Sequence, residues 1–359
     1  MQVLINEKSF KGKRIYIGID VHKANWMVTI MLDEITHKTF SQNPDARILA
    51  EYLNRNFPGG TYLSAYEAGF CGFSVHRALI EEGINNSVVN PADIPITDKE
   101  KRQKEDKRDS RKIARGLRNN ELTAIHVPSI ETEELRLFLK DRMSLVKDLT
   151  RMKNRIKSNL SLFGIDIPVQ FKETSKHFSK RYVDWLRNIQ LTTHQGNLAL
   201  SNLINRTEFL RKELLAINRE IRRFAKDEKF IPTISLLLKI PGIDKLTALI
   251  ILSIVEDINR FKRADEFFSF VGLVPSTKSS GDNEKTGNIT PRRNKILRGI
   301  VIESAWVAIR HDPALMAAFI DLCKRMEKSK AIIRIAKKLL NRIRYVLKEK
   351  KEYVYNVAA

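Results

Sequence analysis

The stretch IYIGIDV, residues 15–21, is the first of several short segments that decide the fold. It is rich in β-branched residues, and WMVTIML at 26–32 follows after a connection short enough for a hairpin. Turn and helix signals separate the later segments. These are a third strand at 35–40, a helix at 46–57, a strand at 61–67, a helix at 73–82 and a strand at 86–90. The order predicts a mixed sheet flanked by helices.

Acidic residues lie at the ends of two of these strands and in the segment that follows them. Asp20 ends the first strand and Glu67 the fourth, while Asp106 and Asp109 are spaced to share one face of a helix. Because strand ends converge at one edge of a sheet, four carboxylates there would repel one another unless cations lie among them. The pattern predicts a Mg²⁺ site, with Mn²⁺ as the alternative. Two such ions about 4 Å apart can clamp the attacking and leaving oxygens of a phosphodiester.

Each acid taken alone has a plainer interpretation. A strand-end Asp is commonly a turn residue. Asp106 and Asp109 are surrounded by Lys and Arg, and they also fit ion pairs on a solvated helix face. Taken together with the order of strands and helices, however, the four acids are typical of a ribonuclease-H-like nuclease core.

The middle of the chain is predicted to be helical from its apolar spacing. Apolar residues recur mostly at steps of three, four or seven over 131–163 and again over 200–224, and an irregular insert is expected at 164–195. Two such helices form an antiparallel hairpin in a plain helical core or an intermolecular coiled coil, and the spacing leaves both interpretations open.

The last third carries two patterns that suit contact with phosphate. The segment 236–256, around Pro241-Gly242, is typical of a helix–hairpin–helix, although a helix C-cap without a ligand explains it as well. A Gly- and Ser-rich loop is expected at 275–290, and a helix at 294–310. The tail at 324–352 holds twelve Lys or Arg and three Glu beside an apolar stripe, so one side is expected to pack and the other to face phosphate.

Composition narrows the class of protein. The 359 residues carry a formal net charge of +22, for which a polyanion is the natural partner, and 43% hydrophobic residues exclude a disordered basic tail. Two cysteines exclude a disulfide framework and a Cys-rich zinc module. The longest apolar run is about ten residues, half of a membrane span, and the first residues lack the apolar region of a secretory signal. We expect a cytoplasmic, nucleoid-associated prokaryotic protein with no membrane partner.

Six segments resemble the insertion-sequence-110-type DEDD transposases, a group that includes the pilin-gene invertases and the bridge-RNA-guided recombinases. In the first third they are GIDVHK (18–23), YEAGFCGFSVHRAL (66–79) and KEDKRDSRKIA (104–114). In the last third they are KIPGIDKLTALIILSIVEDINRF (239–261), FFSFVGLVPSTKSSG (267–281) and GNITPRRNKILRGIVIESAW (287–306). One departure is Arg293-Asn294, where the family often has Gly-Asn before the Leu-Arg of the next helix.

The resemblance implies an α/β domain followed by mostly α-helical parts. A ribonuclease-H-like (RuvC-like) DEDD catalytic domain would span 1–125, and a helical coiled-coil region 126–230. A C-terminal transposase domain, with the helix–hairpin–helix, a catalytic serine loop and the basic tail, would span 231–359.

The resemblance also implies roles for individual residues. The family's four catalytic, metal-holding acids fall on the four acids named above, and its catalytic serine precedes a glycine, as Ser280 does. Ser276 and Ser279 are near neighbours and alternatives for the register. Attack by the serine on a phosphodiester would give a phosphoserine–DNA intermediate at a Mg²⁺-dependent composite active site. The implied partners are donor and target DNA, an element-encoded guide RNA, and further copies of the chain in a dimer or tetramer.

Two other functions fit the same residues. A Holliday-junction-type nuclease would use the four carboxylates with metal-activated water, and it would not need Ser280. A non-catalytic basic scaffold would bind nucleic acid through the helix–hairpin–helix and the tail, and it would not need Asp20 or Asp109.

Overall fold

The chain divides into two compact units, Met1–Pro128 and Ser129–Ala359. The computed structural model describes residues 9–94, 106–173, 176–280 and 283–355. The division into three parts at 125/126 and 230/231 stays a prediction. Across the described ranges, no helix combines the length and the apolar composition that crossing a membrane requires.

The first unit has the predicted alternation of strands and helices, and up to residue 90 the element ends differ from the predicted ones by at most two residues. The elements are β1 (Arg14–Val21), β2 (Trp26–Leu32), β3 (Ile35–Gln42), α1 (Ala46–Asn56), β4 (Thr61–Glu67), α2 (Ser74–Glu81), β5 (Asn85–Val89) and α3 (Asp106–Arg118).

The five strands form one sheet in the order β3-β2-β1-β4-β5. The strands β1, β2 and β3 are antiparallel neighbours, whereas β4 and β5 run parallel to β1. This confirms the mixed sheet and is compatible with a ribonuclease-H-like domain. On one face, Ile15, Ile17 and Ile19 are fully buried in a core with Leu49 of α1 and Leu79 of α2. The alternate residues of β1 therefore lie on the opposite face.

Helix α3 covers that opposite face, and Gly18 in β1 allows its close approach. A Cβ atom on Gly18 would lie 2.0 Å from the carbonyl oxygen of Ser110 and 2.4 Å from the backbone nitrogen of Ala114. Ser110 is fully buried, and its hydroxyl lies 2.8 Å from that of Thr29, which pairs with Gly18 between β1 and β2. The backbone of α3 thus rests directly on the backbone of β1.

The second unit is mostly helical, as predicted. Its elements are α4 (Ile130–Leu162), α5 (Lys180–Arg187), α6 (His194–Phe224), α7 (Ile231–Leu237), α8 (Lys245–Val255), α9 (Ala264–Val271), β6 (Pro275–Ser280), β7 (Asn283–Ile289), α10 (Lys295–Ala308), α11 (Pro313–Cys323) and α12 (Lys328–Glu349).

Two expectations for this unit were wrong. The insert at 164–195 is not irregular throughout, because it contains α5, which is capped by the hydroxyl of Ser179 and packs through the buried Tyr182 and Leu186. The segment at 275–290 is not a loop but the antiparallel hairpin β6–β7. Helix α5 is eight residues long, which is too short to show a clear helical period in the sequence. The strands of the hairpin were missed because they lack the apolar alternation that predicts a strand.

Helices α4 and α6 pair antiparallel within the chain. Where the first half of α4 lies beside the C-terminal end of α6, Arg142 donates to the side-chain oxygen of Asn218 at 3.2 Å. Near the other end, Ile156 of α4 and Ile204 of α6 lie in the same buried cluster. Of the interpretations left open, the antiparallel hairpin is observed, and a coiled coil between chains stays a prediction.

Helix α12 is held on the C-terminal core by its apolar stripe, which is buried as predicted, and by one buried ionic network. Arg342 donates to the carboxylate of Asp312 at 2.7 Å, and the hydroxyl of Tyr353 donates to the same oxygen. Burial alone would raise the pKa of Asp312, but hydrogen bonds from Tyr353 and the backbone of Leu315, together with Arg342, hold it below its ordinary value. The network fixes the buried side of α12 to α11.

Because Gly18 has no room for a side chain, the Gly18→Ala variant should loosen α3. Overpacking of this kind costs about 1–3 kcal/mol, so we expect faster amide hydrogen exchange in residues 106–118. The matched control is Gly299→Ala in α10, where an added Cβ meets no atom within 4 Å and exchange in α3 should not change. Unchanged exchange of α3 in Gly18→Ala would contradict the close contact.

Candidate active site

Asp20 and Glu67 lie side by side at one edge of the first sheet. The register of the parallel strands β1 and β4 pairs Ile19 with Tyr66, so Asp20 and Glu67 are the next residues on strands about 4.8 Å apart. Glu67 pairs in turn with Val89 of β5, which is buried in the cluster beneath α3. Both acids therefore lie at the carboxyl ends of their strands, on the face that α3 covers.

Helix α3 runs antiparallel to β1, so its N-terminus lies over the same edge. At Ser110 the helix touches Gly18. Two turns later, Arg118 forms an ion pair of 3.6 Å with Glu34, in the turn between β2 and β3 at the opposite end of the sheet. The direction of the helix follows from these two contacts.

The acids of α3 therefore reach the level of Asp20. Asp106 begins the helix, and it is one turn, about 6 Å, beyond Ser110. Asp20 lies two residues, about 7 Å, beyond Gly18 in the same direction. Asp109 lies within that same first turn. The backbone thus places all four predicted acids at one edge and on one face.

The acids have local partners in this structure. Oδ2 of Asp20 lies 3.1 Å from Nε2 of His22, and Oδ1 of Asp109 lies 2.9 Å from Nζ of Lys112. Asp109 and Lys112 are 20% and 12% exposed, so their ion pair is not on a solvated face. The side chain of Asp106 lies outside the described residues. Where side chains are described, no three from His, Cys, Asp and Glu form a group that could hold a metal ion.

The donor groups at this edge nevertheless have the chemistry that a hard divalent cation requires. All four predicted ligands are carboxylates, and Mg²⁺ prefers oxygen ligands. Two come from rigid strand ends and two from a helix whose backbone is in contact with the sheet. The cationic side chains of Lys112 and, when protonated, His22 offset the carboxylate charge here. A divalent cation offsets the same carboxylate charge as Lys112 and His22 do, so it can replace them beside the acids. The residues therefore fit Mg²⁺ or Mn²⁺.

Ser280, the predicted nucleophile, is the last residue of β6, where it pairs with Asn283 across the hairpin. Ser279 is its neighbour in the strand, and Ser276 lies near the base, four residues or about 13 Å away. The side chains of Ser279 and Ser280 lie outside the described residues. Since Ser280 is at the tip, its position depends on how the base of the hairpin is anchored.

Arg298 of α10 anchors both ends of this hairpin. Its Nη1 donates to the carbonyl oxygen of Gly272, before β6, at 3.1 Å and to that of Thr290, after β7, at 2.8 Å. The backbone nitrogen of Thr290 also donates to the carbonyl oxygen of Val274 at 3.0 Å. Burial, and then the charge of Arg293, lower the pKa of Arg298 from its ordinary value, but a guanidinium stays cationic at neutral pH.

The departure from the family pattern at Arg293 is accommodated beside this anchor. Gly272 has a φ of +84°, and a Cβ there would lie 2.4 Å from the Cβ of Arg293. Asn294 caps α10 by accepting from the backbone nitrogen of Leu297 at 3.0 Å. The turn therefore forms with an arginine in place of glycine, because Gly272 leaves the space.

The segment predicted as a helix–hairpin–helix consists of α7, a turn at Pro241-Gly242, and α8. Gly242 has a φ of +84°, and its Cβ would lie 2.4 Å from the carbonyl oxygen of Ser304, so packing on α10 requires the glycine. Asp244 caps α8 by accepting from the backbone nitrogen of Thr247 at 2.7 Å. A phosphate at this helix terminus would meet that carboxylate, so phosphate binding here stays a prediction.

Two groups that support the site were not predicted from the sequence. Thr29 and Ser110 join α3 to the sheet by a buried hydrogen bond, and Arg298 holds the hairpin. Ser110 follows Asp109 in an otherwise charged segment, and a single small residue there indicates only weakly that this position of the helix faces the sheet. Nothing in the sequence marks Thr29.

Comparison with known proteins finds matches at both ends of the chain. A family model described as transposase of the IS116/IS110/IS902 family matches residues 234–321, and a second, for DEDD transposases of the IS110 type, matches 17–165. A putative transposase of Sinorhizobium fredii is 26% identical over 91% of this chain and 90% of its own length. The transposases of element IS1533 of Leptospira borgpetersenii and element IS1111A of Coxiella burnetii are 26% and 28% identical. They match 68% and 67% of this chain, and 70% and 65% of their own lengths.

The mixed sheet and the family model that spans it define the class of protein, a DEDD transposase, which cleaves and rejoins DNA and generally uses divalent metal ions. Within that class, the chain carries two domains of the IS110-type transposase family, at residues 17–165 and 234–321. The family predicted from the six segments is therefore confirmed.

Removing the anchor of the hairpin should loosen it without unfolding the second unit. Hydrogen bonds from a charged donor contribute about 1.5–3 kcal/mol each, so Arg298→Ala should speed amide exchange in β6 and β7 by about tenfold or more. Lys295→Ala, an exposed substitution in the first turn of α10, is the control and should leave the exchange unchanged. Equal exchange in both variants would show that Arg298 does not hold the hairpin.

Proposed function

We propose that this transposase exchanges DNA strands through a covalent phosphoserine intermediate, with Ser280 as the nucleophile and four acids holding a divalent cation. The observation that carries the proposal is the placement of Asp20 and Glu67 at adjacent strand ends beneath the N-terminal turn of α3. The family match to both the sheet and the serine hairpin supports it.

The proposed cation is Mg²⁺, with Mn²⁺ as the substitute. Asp20, Glu67, Asp106 and Asp109 would hold it. When bound, such an ion polarises a phosphodiester and offsets the negative charge that develops on it. The acids would hold the positive charge of the ion at the sheet edge, and the contact of α3 with β1 keeps two of them above the other two.

The serine supplies a covalent step. Oγ of Ser280 forms a bond to phosphorus as the bond from phosphorus to the departing strand end breaks, and the proton that the serine loses is balanced by the one that the departing oxygen gains. The new phosphoserine ester conserves the bond, so a second strand end can attack it, reform a DNA phosphodiester and release the serine. In this proposal, Ser280 and the four acids act on the same phosphodiester.

The proposed partners follow from the same reaction. Donor and target DNA are both substrates, and the net charge of +22 suits several polyanionic strands. An element-encoded structured RNA is proposed as the guide that selects both DNAs. Strand exchange needs two DNAs held together, so we also propose a homo-oligomer, a dimer or a tetramer.

The test uses the full chain with a plasmid-borne element end, co-expressed flanking RNA and Mg²⁺. We expect a protein–DNA adduct that mass spectrometry maps to Ser280, and none from Ser280→Ala. Asp20→Asn and Asp109→Asn should each lower strand exchange by about a hundredfold or more, because a held cation contributes several kcal/mol.

Ser276→Ala is the matched serine control and should retain the adduct. An adduct on Ser276 or Ser279 would contradict the assignment of Ser280. Cleavage by Ser280→Ala with no adduct in the wild type would indicate the junction-nuclease alternative. Full activity of Asp20→Asn would indicate the scaffold alternative.

A further inference from the structure

A groove of about 870 Å³ lies between α9, α11 and α12 in the second unit. The side chains that line it come from a single face of α12 and from the facing ends of α9 and α11. Its rim on α12 is formed by Arg334, Lys337, Lys338 and Asn341. These four residues follow the spacing of one helical stripe and extend for about 10 Å.

The rim of the groove is cationic. Arg325, two residues beyond the end of α11, adds a fourth positive charge to those of Arg334, Lys337 and Lys338. Asp321 is the one acid among the described lining residues, and it lies 3.5 Å from Arg325 and 3.6 Å from Lys324. The local charge therefore favours a polyanion.

The floor of the groove is apolar. It is formed by Leu322, Met326, Ala318 and Phe268, and Nζ of Lys337 lies 4.8 Å from the centre of the Phe268 ring. A duplex would contact such a groove through its phosphates and leave the apolar floor without a partner, because its bases are stacked inside. An unpaired nucleotide has both an anionic backbone and an apolar base face.

The groove is also preformed. The opposite side of α12 is packed in the core, and the buried pair of Arg342 and Asp312 fixes it to α11. Because the backbone of α12 is already fixed, binding a ligand on its rim requires no further ordering of that backbone.

We propose that this groove binds a short unpaired segment of DNA, with phosphates on the α12 rim and a base against the Met326 floor. DNA rather than RNA is assigned because a transposase acts on DNA, so the inference rests on that part of the proposed function and not on Ser280 chemistry. Asn341, whose amide both donates and accepts, is placed on the rim to contact a base edge. The site would hold a strand while it is separated from its complement.

The test measures binding of a labelled oligothymidylate to the full chain over a range of salt concentrations. The variant Arg334→Gln/Lys337→Gln should weaken binding by about tenfold or more and lower the slope of log affinity against log salt by about 1.4, since each phosphate contact to a single strand contributes about 0.7. Lys348→Gln/Lys351→Gln, the control with the same loss of charge outside the groove, should change binding much less.

Two further measurements make the assignment specific. Met326→Gln should weaken binding of the oligothymidylate but not of a duplex, and a photo-crosslink from 5-iododeoxyuridine should map to residues 264–268, 318–326 or 334–341. Equal losses for the duplex and the single strand, or equal losses in the control, would overturn the proposal. RNA of the same sequence that binds more tightly than DNA would also overturn it.

Failure of the strand-exchange proposal can be told apart from failure of this one. The oligothymidylate assay contains no divalent cation, so it reports on the groove and not on the strand-exchange chemistry of Asp20 and Ser280, which lie outside the groove lining. If the groove variants lose binding while Ser280→Ala still exchanges strands, the groove assignment stands and the covalent mechanism does not.

Discussion

The contact between α3 and β1 at Gly18 is the constraint on which the first unit depends. Two backbones meet there with no room for a Cβ, and a buried hydrogen bond between Thr29 and Ser110 secures them. This contact, rather than any ion pair, sets how far the N-terminal turn of α3 extends beyond the sheet. Since that turn carries Asp106 and Asp109, the contact brings their backbone to the end of the sheet that carries Asp20 and Glu67.

The strands of the first unit were predictable because their composition and turn residues are local signals. The carboxyl ends of β1 and β4 match the expected ones, so the strand-end positions of Asp20 and Glu67 followed at once. The sequence did not show that the ion pair of Asp109 and Lys112 is largely buried, because its burial depends on how α3 crosses the sheet. The hairpin that carries Ser280 was missed since its polar strands are stabilised by an anchor from a distant helix, Arg298.

In the second unit, apolar packing buries one side of α12 and leaves the opposite side to line the groove. The stripe of α12 that faces the core was visible in the sequence, as was the excess of positive charge on the tail. The groove itself was not, because it needs α9 and α11 to supply a floor beneath the Arg334 rim. A basic helix alone attracts any polyanion, whereas a basic rim above an apolar floor favours unpaired nucleotides.

The central claim is that the four acids form one cation site at the sheet edge, and anomalous diffraction from crystals of the full chain soaked in Mn²⁺ tests it most directly. We expect a manganese peak bonded to a carboxylate oxygen of Asp20 and to at least one of Glu67, Asp106 and Asp109. Manganese bound only elsewhere, with Lys112 still paired to Asp109 at saturating Mn²⁺, would contradict it.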